Sequence, residues 1–169
     1  RLHRQGARRE AAAALARLLA LDPEDGQELR GDLVTWWLAL DEGEPLDELL
    51  ARLPDDELPE VVWGRVLAQL RRQPPEAAEA ALAHALAVRP HVARYLLAED
   101  PEPPADTPSG ELDPEHERDY ISWEDDEGVG LAEGSPLEAW FYAREARPLW
   151  AATPGALPWL AARAGSPPD

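Results

Sequence analysis

The sequence predicts an all-α fold, and its composition supports this prediction in two ways. Alanine and leucine, which are strong helix formers, dominate the chain. The β-branched residues that favour strands are few, and isoleucine occurs only at Ile121. The chain has 169 residues, of which 44% are hydrophobic, so it is long enough for one domain with a buried core.

Apolar residues at helical spacing, with prolines between them, predict six helices before residue 98. These helices are Gly6–Leu21, Glu24–Asp41, Leu46–Leu53, Leu58–Arg72, Glu76–Arg89 and His91–Leu97. Aspartates precede two of them, so we expect Asp22 or Asp25 to cap the second helix and Asp55 or Asp56 to cap the fourth.

Three leucine-bearing segments end at prolines with a nearly regular spacing. Pro23, Pro54 and Pro90 are 31 and 36 residues apart, and the tetratricopeptide repeat has a period of about 34 residues. The segments REAAAALARLLALDP and EAAEAALAHALAVRP both resemble the second helix of that repeat. The resemblance implies a short solenoid of paired helices.

The repeats are degenerate. Small residues at Ala11, Ala78 and Ala85 are placed for close helix approach, but the middle segment, Leu46–Leu53, is too short for a full second helix. The predicted second and fourth helices do not align without gaps. An irregular helical bundle with coincidental proline spacing is the alternative interpretation.

Two further segments resemble a narrower family. RPHVARYLL, at residues 89–97, is similar to an Asn-Pro-His-Val-x-x-Tyr-Leu-Leu motif of the suppression-of-tumorigenicity-seven family and of bacterial tetratricopeptide proteins of unassigned function. Tyr142, Ala143 and Trp150, followed by TPGALPWL at residues 153–160, resemble the same family. Arg89 replaces the usual asparagine. The resemblance implies helical repeats, a role in protein interaction and no catalytic residue.

An acidic, proline-rich segment separates the repeats from the C-terminus. Of the 29 residues from Glu99 to Glu127, 13 are acidic and five are proline, a composition typical of a long loop.

Ser135 then caps a predicted helix from Pro136 to Trp150, with Glu138 completing a capping-box pattern, and a last helix follows from Pro154 to Ala164. The predicted organisation is tetratricopeptide-like repeats at 1–98, an acidic loop at 99–134 and two C-terminal helices at 135–169 packing on the repeats.

Charge and cysteine content limit the partners and the location. The net charge of −18 opposes nucleic-acid binding and favours a partner with basic residues. The absence of cysteine excludes thiolate metal sites and fits a cytoplasmic location. No apolar run is long enough for a membrane span. Because the chain begins at Arg1 and lacks methionine, we expect it to be a fragment with repeats upstream.

The sequence contains no catalytic motif, so we expect no enzyme activity and no cofactor. Asp125 and Asp126 could hold a cation such as calcium, but they lack EF-hand spacing, and a solvated acidic loop is the favoured interpretation. His91 follows the Pro90 helix stop, which favours a role at the helix junction. Ser135 is better explained as a helix cap than as a nucleophile.

Tryptophan and arginine mark the predicted partner site. Trp37 and Trp63 lie on helices that would line the concave face of a solenoid, beside Arg30 and Arg65. Aromatic and arginine side chains concentrate binding energy at interfaces, so these four residues are the predicted peptide-binding anchors. The alternative is that the tryptophans all belong to the core.

The leading hypothesis is therefore a non-enzymatic scaffold that binds a protein or peptide, with an affinity that falls as salt rises. Two alternatives remain. A structural subunit of a larger assembly would expose an apolar patch around Trp140, Phe141 and Trp150, and an acidic mimic of nucleic acid would need regularly spaced surface carboxylates.

Overall fold

The computed structural model describes residues 2–22, 25, 29–72, 74–105, 107 and 132–165. In this part of the chain all regular structure is helical and no residue lies in a strand, which confirms the all-α prediction. The helices are α1 Leu2–Leu21, α2 Leu29–Leu40, α3 Gly43–Arg52, α4 Pro59–Arg72, α5 Ala78–Val88, α6 Val92–Leu97, α7 Pro136–Ala152 and α8 Ala156–Ala161, with a 3₁₀ turn at Pro75–Ala77 before α5.

Helix α4 lies at the centre of the fold. It packs against α2, α3, α5 and α7, while α1 packs on the far side of α2. Helix α7 also contacts α6, and α8 contacts both α6 and α7. Each of these helices therefore connects, directly or through one neighbour, to α4.

A glycine lets α2 and α4 approach closely. A Cβ atom placed on Gly64 of α4 would lie only 2.5 Å from Cγ1 of Val34 on α2, which is closer than two carbon atoms can approach. Val34 is fully buried. Because interiors are close-packed, even a methyl group at Gly64 would push the two helices apart.

The core is one continuous cluster that spans all the helices around α4. Its largest buried members are Trp63 of α4 and Trp150 of α7, both with 0% exposure. Their rings pack edge to face, with centroids 6.1 Å apart, a geometry that aromatic pairs favour. This contact joins α7 to the centre of the fold.

Polar side chains accept backbone hydrogen bonds at three helix N-termini. Asp25 Oδ1 accepts a hydrogen bond from the backbone N–H of Leu29 at 2.8 Å, and Asp56 Oδ1 accepts one at 2.9 Å from Leu58, the residue before α4. Ser135 Oγ accepts from the N–H of Glu138 at 3.1 Å. Of the two aspartates predicted for each cap, Asp25 bonds the first backbone N–H of α2, whereas Asp56 bonds the N–H one residue before α4.

Two arginines of α4 bind the carbonyl groups at helix C-termini. Arg65 Nη2 donates to the Leu53 carbonyl after α3 at 2.6 Å. Arg71 Nη1 donates to the Leu38 carbonyl of α2 at 2.6 Å and Nη2 to the Leu149 carbonyl of α7 at 3.3 Å. A cation at this position also complements the helix dipole.

The helix bounds follow the sequence prediction with local differences. Helix α1 begins at Leu2 rather than Gly6, and α3 begins at Gly43, ahead of Pro45. Ala78 and Ala85 are fully buried as predicted, but Ala12, not Ala11, is the buried alanine of α1. The tetratricopeptide-like order of the repeats stays a prediction.

Candidate functional site

The two predicted tryptophan anchors lie in the core. Trp63 has no exposed surface and Trp37 is 9% exposed. Their neighbour Trp36 is half-buried and packs against the same core. Neither Trp37 nor Trp63 offers a ring face to a partner. For these two residues the structure agrees with the alternative, in which the tryptophans belong to the core.

The two predicted arginine anchors have partners within the chain. Arg30 forms ion pairs with Asp25, at 2.9 Å, and with Asp56. Burial by itself lowers the pKa of Arg30, but the hydrogen bonds and charges of the two aspartates raise it above its ordinary value. Arg65 holds the C-terminal end of α3, and burial lowers its pKa. Partner binding through these four predicted residues stays a prediction.

The structure instead brings together four carboxyl groups from three helices. Asp32 lies in the first turn of α2 and Glu60 in the first turn of α4. Glu138 and Glu145 come from α7. All three others lie close enough to Glu60 to raise its pKa by charge repulsion. We call these four residues the acidic junction.

The pKa of Glu60 is strongly perturbed. Its pKa is raised to about 7, chiefly by burial and then by the charges of Glu145, Glu138 and Asp32, although a backbone hydrogen bond opposes the shift. A Cβ atom on Gly31 would lie 3.3 Å from Glu60 Oε2. The absence of a side chain at Gly31 therefore leaves the space in which the carboxyl group lies against α2.

Glu60 has no cation beside it in the described part of the chain. The ion pairs found there join arginines to other carboxylates, and none of them includes Glu60. Glu138, by contrast, accepts a hydrogen bond from the backbone N–H of Gly134 at 2.9 Å and lies 3.2 Å from Arg89 Nε. Glu60 is thus a half-buried acid whose charged form has no cation partner in this part of the chain.

Tyr142 borders the acidic junction on α7. Its side chain is buried, and its pKa is raised, mainly by burial and further by the charge of Glu60. The phenol therefore stays protonated at neutral pH. Once ionised, Glu60 lies among like charges, and a nearby cation would favour its charged form.

Among the described residues, no group of three His, Cys, Asp or Glu side chains is arranged to hold a metal ion. His91 is half-buried, and its pKa is lowered by burial and by Arg94. Asp125 and Asp126, considered above for a cation, lie outside the described residues. No helix in the described part is both long and apolar enough to cross a membrane.

The residues named for the structural-subunit alternative are largely covered. Trp140 is 5% exposed, Trp150 is fully buried, and Phe141 is half-buried and packs edge to face against Trp140 at 5.0 Å. The large apolar side chains exposed in the described part are Leu18 and Leu21 of α1. The expected apolar patch is therefore not found at the tryptophans.

Sequence reasoning missed Glu60 because nothing near it is unusual. A glutamate just after a proline at a helix start is common and favourable. Its burial results from α2 and α7, and α7 follows far along the chain. Gly31 and Gly64 were the available signals, because glycines inside predicted helices often mark close contacts.

Comparisons with protein-family models, with curated proteins and with solved structures find no match for this chain.

Proposed function

We propose that the chain is a non-enzymatic binding module whose acidic junction receives a basic side chain of a protein or peptide partner. The observation that carries this proposal is Glu60, a carboxyl group of α4 near α2 and α7 for which the described residues supply no pairing cation. Groups that lower the stability of a fold in this way cluster at functional sites.

The electrostatics of the junction favour a cation. An arginine or lysine of the partner would compensate Glu60 and reduce its repulsion with Asp32 and Glu145, which the free protein bears. Because the interaction would be partly shielded from water, it would be stronger than an exposed ion pair. The net charge of −18 adds long-range attraction for a basic partner.

The helical architecture is compatible with this role. Under the proposal, the helices form a degenerate tetratricopeptide-like array related to the suppression-of-tumorigenicity-seven family, as the residues around Arg89 and Thr153 indicate. In such arrays stacked helices present an extended binding surface. The burial of Trp140 and Trp150 favours a binding module over a structural subunit that docks through those side chains.

The first test is calorimetric titration with a short arginine-rich peptide as the probe. One variant neutralises the junction with Asp32→Asn, Glu60→Gln and Glu145→Gln. The matched control carries Glu10→Gln, Glu44→Gln and Glu76→Gln, which change the net charge equally at exposed positions on other helices.

We expect the junction variant to weaken binding by at least about tenfold, and the control by only about twofold, since scattered surface charges contribute little. Binding should also weaken as salt rises. Equal losses in the two variants would mean that the peptide senses only net charge, and the junction would then not be a site.

The pH dependence separates the junction from general charge attraction. Because Glu60 must be ionised to pair with a cation, affinity should increase as the pH rises through about 7. The control variant should keep this increase, and Glu60→Gln should remove it. An increase that persists in Glu60→Gln would assign it to another group.

A further inference from the structure

Helix α1 presents an apolar face that the described part of the chain leaves uncovered. One side of α1 packs on α2, and Ala12 is buried there. Leu18 and Leu21, which are 52% and 82% exposed, lie outside the hydrophobic core cluster. A single exposed leucine is common, so the pattern of residues around these two decides whether the face is a contact surface.

The uncovered apolar residues of α1 follow a heptad spacing. Ala7, Ala14, Leu18 and Leu21 are exposed and Ala11 is half-buried, and successive members of this series are four or three residues apart. Such steps align side chains in one narrow stripe along a helix, as at the seam of a two-helix coiled coil. We call these five residues the α1 stripe. Its width fits a single covering helix.

The size of the side chains in the α1 stripe changes along the helix. Its N-terminal part consists of three alanines and its C-terminal part of two leucines. In an antiparallel pair of α1 helices, the leucines of each chain would face the alanines of the other, so that large side chains meet small ones. A parallel pair would place leucines against leucines and alanines against alanines, and would leave a gap at the alanine end.

The charged residues beside the α1 stripe are ordered to match the same antiparallel pairing. Arg8 and Glu10 flank its N-terminal part, and Arg17 and Asp22 flank its C-terminal part. All four are exposed, and none of them belongs to an ion pair found within the described residues. An antiparallel pair brings Glu10 beside the second copy's Arg17, and Arg8 beside its Asp22. Twofold symmetry makes each of these attractive contacts occur twice.

The net charge of α1 also favours contact between two copies. Leu2–Leu21 contains four arginines and one glutamate, whereas the whole chain has a net charge of −18. A positively charged contact helix reduces the repulsion between two acidic chains. We propose that the α1 stripe binds the α1 stripe of a second copy of this chain, in an antiparallel pair with twofold symmetry. This surface is separate from the acidic junction on α2, α4 and α7, and the proposal does not depend on the function of that junction.

The experiment is sedimentation equilibrium of the full chain over a range of concentrations, which measures the dissociation constant of the dimer. One variant carries Leu18→Gln and Leu21→Gln, which make the α1 stripe polar and keep good helix formers. The matched control carries Ala80→Gln and Ala83→Gln at exposed positions of α5.

We expect the natural chain and the control to dimerise equally, and the stripe variant to raise the dissociation constant by at least about tenfold, because the buried apolar area is lost. A natural chain that stays monomeric at millimolar concentration would overturn the proposal. A dimer that the stripe variant leaves unchanged would also overturn it, since the contact would then lie elsewhere.

A charge exchange tests the antiparallel orientation. Glu10→Arg and Arg17→Glu each place like charges together in the proposed pair, so each should weaken the dimer severalfold. Glu10→Arg also lowers the net negative charge, so a general charge effect would strengthen the dimer instead. The double variant restores opposite charges and should recover most of the natural affinity. Because a parallel pair does not bring Glu10 and Arg17 together, a double variant without recovery would contradict the antiparallel arrangement.

Discussion

The two ends of α4 hold charged side chains in opposite states. At its C-terminal end, Arg71 donates to Thr153 Oγ1 at 2.9 Å and to the carbonyls of Leu38 and Leu149. At its N-terminal end, Glu60 lies among three other carboxyl groups and has no cation partner in the described part of the chain. Both ends contact α2 and α7, yet only the charge at the C-terminal end has hydrogen-bond partners that stabilise it.

This difference separates a charge that stabilises the fold from one that does not. Burial lowers the pKa of Arg71, but an arginine stays charged at any ordinary pH, so its bonds stabilise the fold under all conditions. Glu60 is tolerated as a neutral acid and destabilises the fold once it ionises. A charged group with such a cost is a candidate for binding.

The largest expected effect on stability is at Arg71, at the C-terminal end of α4. Arg71→Ala removes the three hydrogen bonds that the guanidinium group donates to Thr153 Oγ1 and to the carbonyls of Leu38 and Leu149, and it should lower the free energy of unfolding by about 2–4 kcal/mol. Arg71→Lys should recover only part of this, since an ammonium group cannot reach the same three acceptors in one plane. Urea denaturation measures the free energy of unfolding of both variants. A loss below about 1 kcal/mol in Arg71→Ala would mean that the two ends of α4 do not differ as described.

The next largest effect on stability is at Glu60, at the N-terminal end of α4, and it depends on pH. Since the pKa of Glu60 is raised from 4.5 to about 7, the folded chain holds this proton more tightly than the unfolded chain does. The contribution of Glu60 to the free energy of unfolding therefore falls as the pH rises between these values and stays low above them.

Glu60→Gln should accordingly be more stable than the natural chain by about 2 kcal/mol near pH 8, and by less than half of that near pH 5. Urea denaturation of both proteins at the two pH values measures the difference. A variant that is less stable than the natural chain at both pH values would show that ionised Glu60 is compensated after all.

A smaller effect is expected at the start of α7, which positions Glu138 in the acidic junction. Ser135→Ala removes the acceptor for the N–H of Glu138 and should lower the free energy of unfolding by about 1 kcal/mol. Ser135→Asp, which keeps an acceptor at the cap, is the control and should lose less. If the two variants lose the same amount, the cap does not hold α7.

The smallest expected quantity is the coupling between the ends of α4. Glu60 and Arg71 are separated by roughly 16 Å along the helix axis, and they share no partner. The effects of Arg71→Ala and Glu60→Gln should add to within about 0.5 kcal/mol in the double variant. A larger coupling would mean that the two ends act as one unit.

The sequence was sufficient to predict the helices, because their signals are local. Pro54 and Pro90 mark helix ends, Ser135 marks a start, and the apolar spacing defines the buried face of α4. The packing of those helices was harder to predict from the sequence. Trp37 and Trp63 looked like binding anchors because periodicity alone cannot tell a core tryptophan from an exposed one, and α7 covers Trp63 from a distant part of the chain.

The candidate site could not be predicted for a related reason. Asp32, Glu60, Glu138 and Glu145 are ordinary glutamates and aspartates near helix starts or on helix surfaces, and the chain has 34 acidic residues. Only the crossing of α2, α4 and α7 distinguishes these four from the others.

The most direct test of the central claim is the pKa of Glu60 itself, followed through its ¹³C-labelled carboxyl group by NMR, with Glu60→Gln used to assign the signal. We predict a midpoint near 7 in the free chain and a clear decrease when an arginine-rich peptide is bound, because a partner cation stabilises the carboxylate. A midpoint near the ordinary value of 4.5 in the free chain, or one that the peptide leaves unchanged, would contradict the assignment of the acidic junction as the binding site.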